Sequence, residues 1–407
     1  VTMMSKRWVP ALASPTEFLS PPAVLGGRGS TKQIAKLLRE QFGLTEGTVL
    51  VAADDAVVNF GLAENLLHAL EGAGFRVVLR KGFGSEPTAE IVDAAAEEAR
   101  AAKARAVIGI GGGSVLDSSK IISLLMLNDG TSADWLGVVD PPLGVAPLVL
   151  IPTTCGTGAE ATRIAMVTVD GAKRASSCTR YVPQAAIIDP DLVASLPRGV
   201  VASTGMDALA HAIESLMATS ASPLSAHHAI GAIEMLMPNL DKAAAGDQDA
   251  LASCLWGSHL AGQALNAGVV MGHSLAYCLS YENPMPHGTS CALALPYCIA
   301  YNQNLDPELA SALARAITGG QSEDLHTAAQ AILDLSKRLG LPTTLDEANI
   351  PEGTEVAIAQ RCVREYPRPT NPEPLEEDSL ERLLAAMRTG DLAAAFESTA
   401  QTAEVNR

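Results

Sequence analysis

Two rhythms of apolar spacing divide the 407-residue chain. Up to about Asp191, nearly continuous apolar runs of strand length recur: TVLVAAD (48–54), FRVVLRKG (75–82), RAVIGIG (105–111), PLVLIPT (147–153), AMVTVD (165–170) and QAAIIDP (184–190). Helical patterns such as NFGLAENLLHALEGAG and PTAEIVDAAAEEARAAKA separate the first three. Strands apolar on both faces and alternating with helices predict a mostly parallel sheet covered by helices. Beyond Asp191 the strand signal stops. TGMDALAHAIESLMATS, PLSAHHAIGAIEMLMPNLDKAAA, DALASCLWGSHLAGQALNAG and DLHTAAQAILDLSKRLG all carry helical spacing, punctuated by proline and glycine. The predicted organisation is an α/β domain over 1–191 followed by an all-α domain over 192–407. The length, too great for one ordinary core, agrees with two domains.

Charge narrows the partners. With 28 basic and 45 acidic residues the formal charge is −17, which would repel nucleic acid or an anionic membrane and favours solubility. No uninterrupted apolar run approaches the roughly 20 residues of a membrane-spanning helix. The opening VTMMSKRWVPALASP has two basic residues, but proline and polar residues cut its apolar stretch short, so it does not read as a signal peptide. Seven cysteines lie singly along the chain with no CxxC pair, the pattern of reduced, buried thiols in a cytoplasmic protein.

Candidate chemistry in the first half centres on AVIGIGGGSVLDSSK (106–120), where an apolar strand runs through glycines into a helix start. Bare backbone at Gly112, Gly113 and Ser114 lets a diphosphate approach the helix N-terminus, where free N–H groups and the helix dipole favour anions. A tight strand-to-helix turn without a ligand is the alternative. IPTTCGTGAEAT (151–162) follows another strand with a cluster of hydroxyls. Thr153, Thr154 and Thr157 can bond phosphate, ribose or carboxamide, or can serve as a helix cap and turn. Asp54, at the end of the first strand, can accept from both hydroxyls of an adenosine ribose and would repel a 2′-phosphate, which favours NAD over NADP. Paired with Asp55, it also reads as a loop charge.

In the second half, Asp207 and His211 lie four residues apart on a helix and share a face. His273 and His287 follow in MGHSLAYCLSYENPMPHGTS. One carboxylate and three imidazoles suit Fe(II) or Zn(II) with room for a substrate oxygen. Taken singly, each histidine reads as a satisfied core residue. His68, His227, His228, His259 and His326 carry no such spacing and read as structural or surface groups.

Taken together, GGGSVLDSSK, PTTCGTGAEAT, TGMDALAHAIE and the His273-x13-His287-Gly288 pattern resemble the group III, iron-containing alcohol dehydrogenase family. That family shares a two-domain fold with glycerol dehydrogenase and dehydroquinate synthase. The resemblance implies a Rossmann-like NAD-binding α/β domain over 1–191 and a helical, metal-binding catalytic domain over 192–407. It implies Asp207, His211, His273 and His287 as ligands of a divalent metal, Fe(II) first and Zn(II) second. Gly112, Gly113, Ser114, Asp117, Lys120, Thr153, Thr154 and Thr157 fall on cofactor positions, and Asp54 on the acid that prefers NAD. Tyr277, in HSLAY, stands where many members carry a second histidine that is assigned to proton transfer or substrate contact. Lys173, ten residues before Pro183, fits the offset of a lysine near the cofactor and equally reads as a solvated loop residue.

The implied reaction is hydride transfer between a small primary alcohol or aldehyde and nicotinamide C4, assisted by a Lewis-acid metal. The proton would leave through water, a ribose hydroxyl or Tyr277. Competing expectations are a reductase of phosphonoacetaldehyde or maleylacetate type, a dehydroquinate synthase-like lyase, and a metal-binding scaffold without catalysis. Residues 201–300 contain a single lysine or arginine, Lys242, which weighs against anionic substrates unless Arg163, Arg180 or Arg364 reaches the site from elsewhere. The apolar helical content leads us to expect a homodimer.

Overall fold

Nine strands and sixteen α-helices make up the described part of the computed structural model, which covers the backbone of residues 16–405 and the side chains of 16–398. The opening segment weighed above as a signal peptide lies outside the described residues. Two compact units divide the described residues, 19–196 and 197–405, the latter together with residues 16–18. The apolar rhythm puts the change at Asp191. The first unit keeps the next few residues because Leu192 belongs to its core.

In the first unit the strands are β1 (Ala23–Gly26), β2 (Gly47–Ala53), β3 (Phe75–Arg80), β4 (Ala104–Gly111), β5 (Gly137–Val138), β6 (Leu148–Pro152), β7 (Ile164–Val169), β8 (Ala172–Ser177) and β9 (Ala185–Ile188). The helices between them are α1 (Ile34–Phe42), α2 (Asp55–Asn59), α3 (Glu64–Gly72), α4 (Ala89–Ala101) and α5 (Gly113–Leu125). Six strands form one sheet in the order β1-β9-β6-β4-β2-β3, every pair parallel. Leu50, Ala52, Val107 and Leu150 face α4 and α5 on one side. Val49, Val51, Ile108 and Ile110 face α1 and α3 on the other. Burial on both faces is why these strands read as continuous apolar runs.

One run behaves differently. AMVTVD, which the alternation places with the parallel strands, forms β7, and β7 pairs antiparallel with β8 in a separate three-stranded sheet of order β5-β8-β7. The reason is local. Asp170 and Gly171 both adopt positive φ, 51° and 72°, and close a tight hairpin that returns the chain at once. The polar β8, AKRASS, has no apolar signal of its own.

The second unit consists of α6 (Arg198–Met217), α7 (Pro223–Leu236), α8 (Leu240–Ala244), α9 (Gln248–Leu265), α10 (Met271–Glu282), α11 (His287–Tyr301), α12 (Pro307–Thr318), α13 (Leu325–Leu339), α14 (Glu355–Glu365), α15 (Glu377–Thr389) and α16 (Leu392–Val405). Side-chain caps start several of them. Asp247, Asp306 and Asp324 accept amides at the starts of α9, α12 and α13. Ser222 and Ser225 cap α7 reciprocally, with Pro223 at the first helical position. Helix α6 is buried almost all round and packs against α7, α9 and α11, which makes it the axis of the unit. No described helix is long and apolar enough to cross a membrane.

Candidate functional site

Polar groups on a helix buried all round need a reason. On α6, Asp207, His211 and Glu214 share one face at spacings of four and seven residues. All three are buried. Helix α10 brings His273 to this face from its first turn, and α11 brings His287 from its first residue. The Nε2 atoms of His211, His287 and His273 lie 3.7, 3.7 and 3.9 Å from one atom, Asp207 Oδ1. The His211 and His273 rings stack with centroids 4.8 Å apart.

Glu214 orients the set. Its Oε1 accepts His273 Nδ1–H at 2.6 Å, and its Oε2 accepts the amides of Val270 at 3.0 Å and His273 at 3.2 Å. That bond fixes the tautomer, so the His273 Nε2 lone pair points toward Asp207. Gly272 leaves room for the carboxylate, since a Cβ there would lie 2.6 Å from Oε1. Burial disfavours the charged His273 ring, but the Glu214 and Asp207 carboxylates outweigh it and raise its pKa. Burial likewise opposes charge on Asp207, yet the imidazoles of His211, His287 and His273 hold it below the usual carboxylate range.

A buried thiol joins the group. Cys291, one turn along α11 from His287, lies 3.6 Å from His287 Nε2 and 4.0 Å from His273 Nε2. Ligand atoms of Asp207, His273, His287 and Cys291 all fall within 4.8 Å of one another. Burial, with Asp207 and Glu214 nearby, pushes the thiol pKa well above its ordinary value. Tyr277 stacks on His287 with centroids 5.2 Å apart, and burial raises its phenol to about 12.

The donors fit a divalent cation. Asp207 Oδ1 is buried without a hydrogen-bond partner, an arrangement that ordinarily costs about 1–3 kcal/mol. An ion about 2.1 Å from each of four such donors would set them roughly 3.4 Å apart. The observed 3.7–3.9 Å is within rotamer adjustment of that spacing. Only His287, with a side chain 36% exposed, opens the set to solvent.

In the first unit the carboxyl ends of three adjacent strands meet at the glycine turn. Asp54, following β2, accepts the Gly112 amide at 2.7 Å through Oδ2. Burial raises its pKa, against the lowering effect of that amide. Helix α5 starts at Gly113, where a Cβ would lie 2.8 Å from Thr157 Cγ2, so the turn and the threonine segment come this close only because position 113 has no side chain. Thr153, just past β6, donates its amide to Gly111 O, and Thr154 reaches the space beside Gly112.

Other expected cofactor positions are engaged within the protein. Ser114 Oγ donates to Ser85 O at 2.5 Å. Lys120 is fully buried, and its ammonium donates to Asp117 Oδ1, Thr162 Oγ1 and Ile164 O at 3.1, 2.9 and 2.6 Å, which uses all three hydrogens. Asp117 Oδ2 accepts the Met166 amide at 3.0 Å, so this pair ties α5 to β7. Lys173 sits exposed on β8, opposite Thr168 in the hairpin.

A parallel-sheet unit with a lean glycine turn and a helical unit with a convergent carboxylate–imidazole set agree with a metal-dependent, nicotinamide-linked alcohol dehydrogenase. Residues 21–190 match the family model for iron-containing alcohol dehydrogenase, and residues 201–388 match that for the C-terminal part of the same family. The chain belongs to the iron-containing alcohol dehydrogenase family. It is 32% identical to long-chain-alcohol dehydrogenase 1 of Geobacillus thermodenitrificans (strain NG80-2), over 86% of this chain and 91% of that one. It is 30% identical to the NAD-dependent methanol dehydrogenase of Bacillus methanolicus, over 88% and 96%. The solved structure of sulfoacetaldehyde reductase from Bifidobacterium kashiwanohense, in complex with NAD+, superposes with a TM-score of 0.84 at 28% identity, covering 93% of this chain and 100% of that one.

Glu214 and Cys291 were not among the residues singled out from sequence. Both carry a signal: Glu214 is two turns from Asp207, and Cys291 repeats at His287 the four-residue spacing of Asp207 and His211. Glutamine at 214 is expected to weaken metal retention about tenfold while the fold persists, because the neutral amide is a poorer partner for the His273 ring. Metal content after dialysis against graded chelator checks this. Unchanged retention would mean that Glu214 does not orient His273.

Proposed function

We propose that Asp207, His211, His273 and His287 hold a divalent metal, Fe(II) first and Zn(II) second, and that the turn at Gly112–Gly113 with Thr153, Thr154 and Thr157 receives NAD(H). The observation that carries the metal assignment is the approach of three imidazole nitrogens to 3.7–3.9 Å from a buried carboxylate oxygen that lacks a hydrogen bond. When bound, a divalent ion polarises the substrate oxygen as a Lewis acid, and nicotinamide gives or takes the hydride. The protein's own contribution is positional. Glu214 keeps His273 in the tautomer that presents Nε2, and the exposed side of His287 admits a small oxygen-bearing substrate. Tyr277, protonated at neutral pH, offers a hydroxyl donor beside His287, where many relatives carry an imidazole.

Asp117 and Lys120 support the cradle from behind by fixing α5 on β7. Asp54 favours NAD, its carboxylate lying at the end of β2 beside the glycine turn. Lys173, exposed on the hairpin opposite Thr168, is a further candidate for contact with the cofactor. Seven buried cysteines, none of them in a disulfide, support a cytoplasmic location, and a homodimer is the expected assembly.

The test is NADH oxidation with short aldehydes by chelator-stripped protein, with and without added Fe(II) or Zn(II). Turnover that returns with metal is the expected result. Equal turnover with and without metal would remove the metal from the reaction.

A further inference from the structure

Arg368 is a cation without a protein acceptor, close to the imidazole cluster. Its Nε is buried and makes no hydrogen bond, and its guanidinium carbon lies 6.0 Å from the centre of the Tyr277 ring, which stacks on His287. Its charge is near enough to oppose, without reversing, the rise in pKa of both His273 and Tyr277. Its neighbours along the chain are neutralised: Arg361 by Glu282 and Arg364 by Glu377. Among the described residues, every other arginine of the helical unit donates to a protein oxygen. In a chain of charge −17, a guanidinium left unpaired beside a reaction centre calls for an anion.

The segment that carries it is held stiffly. Arg368 lies between Pro367 and Pro369, which restrict the backbone on both sides. Tyr366 O accepts Ser274 Oγ at 2.6 Å, next to the ligand residue His273, and Thr370 Oγ1 donates to Val269 O at 2.7 Å. Asn371 Oδ1 accepts the Met271 amide at 2.9 Å. The segment is therefore pinned across the start of α10 on both sides of Arg368, and the guanidinium is presented without a large ordering cost on binding.

We propose that Arg368 anchors the anionic end of the substrate, so that the preferred substrate is a short aldehyde or alcohol carrying a carboxylate, sulfonate or phosphonate. This rests on the dehydrogenase reading above and names the substrate class of the same site. The planar fork of an arginine pairs with two oxygens of such a head group while the carbonyl end reaches the imidazole cluster. The scarcity of basic residues in 201–300 does not count against it, because the cation arrives from a proline-rich segment outside that window.

The experiment compares kcat/KM for 4-oxobutanoate with that for the neutral pentanal, and for two-carbon aldehydes bearing sulfonate or phosphonate, in wild-type metal-loaded enzyme and in Arg368→Gln and Arg368→Lys. Wild type is expected to favour at least one anionic aldehyde over pentanal. In Arg368→Gln that ratio is expected to fall about 30-fold, mainly through KM, and Arg368→Lys to recover part of it because charge returns without the fork. The three anions identify which head group fits. A ratio equal in wild type and Arg368→Gln, or a wild type that prefers pentanal to all three anions, would overturn the assignment. Absence of metal-dependent NADH oxidation with every aldehyde would instead overturn the dehydrogenase reading on which it rests.

Discussion

Asparagine in place of Asp207 is expected to lower kcat/KM by about 10³-fold or more, with metal content falling in parallel. The carboxylate oxygen is the point on which three imidazoles converge. Asparagine matches its shape but removes the only anionic charge in the proposed ligand set. It can also turn an NH2 group toward the imidazole lone pairs and fill the place of the ion with hydrogen bonds. Folding predicts a different outcome from catalysis. Asp207 is buried, and its charge is maintained by the surrounding rings, with a smaller contribution from the Cys291 thiol. A neutral side chain removes that desolvation burden, so the metal-free variant is expected to unfold at the wild-type temperature or slightly above it. Metal content by atomic emission, kcat/KM and thermal unfolding together check the prediction. A variant that keeps both its metal and its activity would exclude Asp207 from the ligand set.

The ease with which different parts of the molecule could be read follows from where their partners lie. Strands β2, β4 and β6 are legible because each is buried on both faces by its own apolar residues. Asp207 and His211 are legible because their partnership is one helical turn long. Glu214 sits on the same face, but a glutamate in a helix ordinarily reads as a surface charge, and only the fold brings His273 Nδ1 to it across 59 positions. Cys291 is hidden among seven thiols that all look like small apolar residues. Lys120 matches a cofactor position in sequence, yet its acceptors Thr162 and Ile164 come from a segment more than forty residues on. Arg368 gives no periodic signal, since its significance is the acceptor it lacks. The hairpin of β7 and β8 depends on two residues, Asp170 and Gly171, whose positive φ values no apolar pattern encodes.

Alanine at position 288 is expected to lower both stability and activity, by about 3 kcal/mol and about 10²-fold. A Cβ on Gly288 would lie 1.9 Å from the carbonyl oxygen of Ser203 and 2.6 Å from its carbon. The obstacle is backbone of α6, which cannot rotate away as a side chain can. Helix α11 must therefore lift from α6 at the turn where they touch. Ser203 lies one turn before Asp207 and Gly288 immediately follows His287, so the displacement falls on the spacing between two proposed ligands. The bond between Thr289 Oγ1 and Ser203 Oγ, 3.3 Å, would be strained with it. Gly205 provides the control. A Cβ there would come within 2.1 Å of Leu240 Cδ1, a comparable overlap, but against the end of a side chain that can change rotamer. Alanine at 205 should thus cost less stability and retain more metal than alanine at 288. Thermal unfolding and metal content of the two variants, measured side by side, decide the matter. Equal losses would mean that the contact of α11 with the α6 backbone is ordinary packing. A selective loss at 288 would show that this close approach, permitted only by glycine, sets the distance between His287 and Asp207.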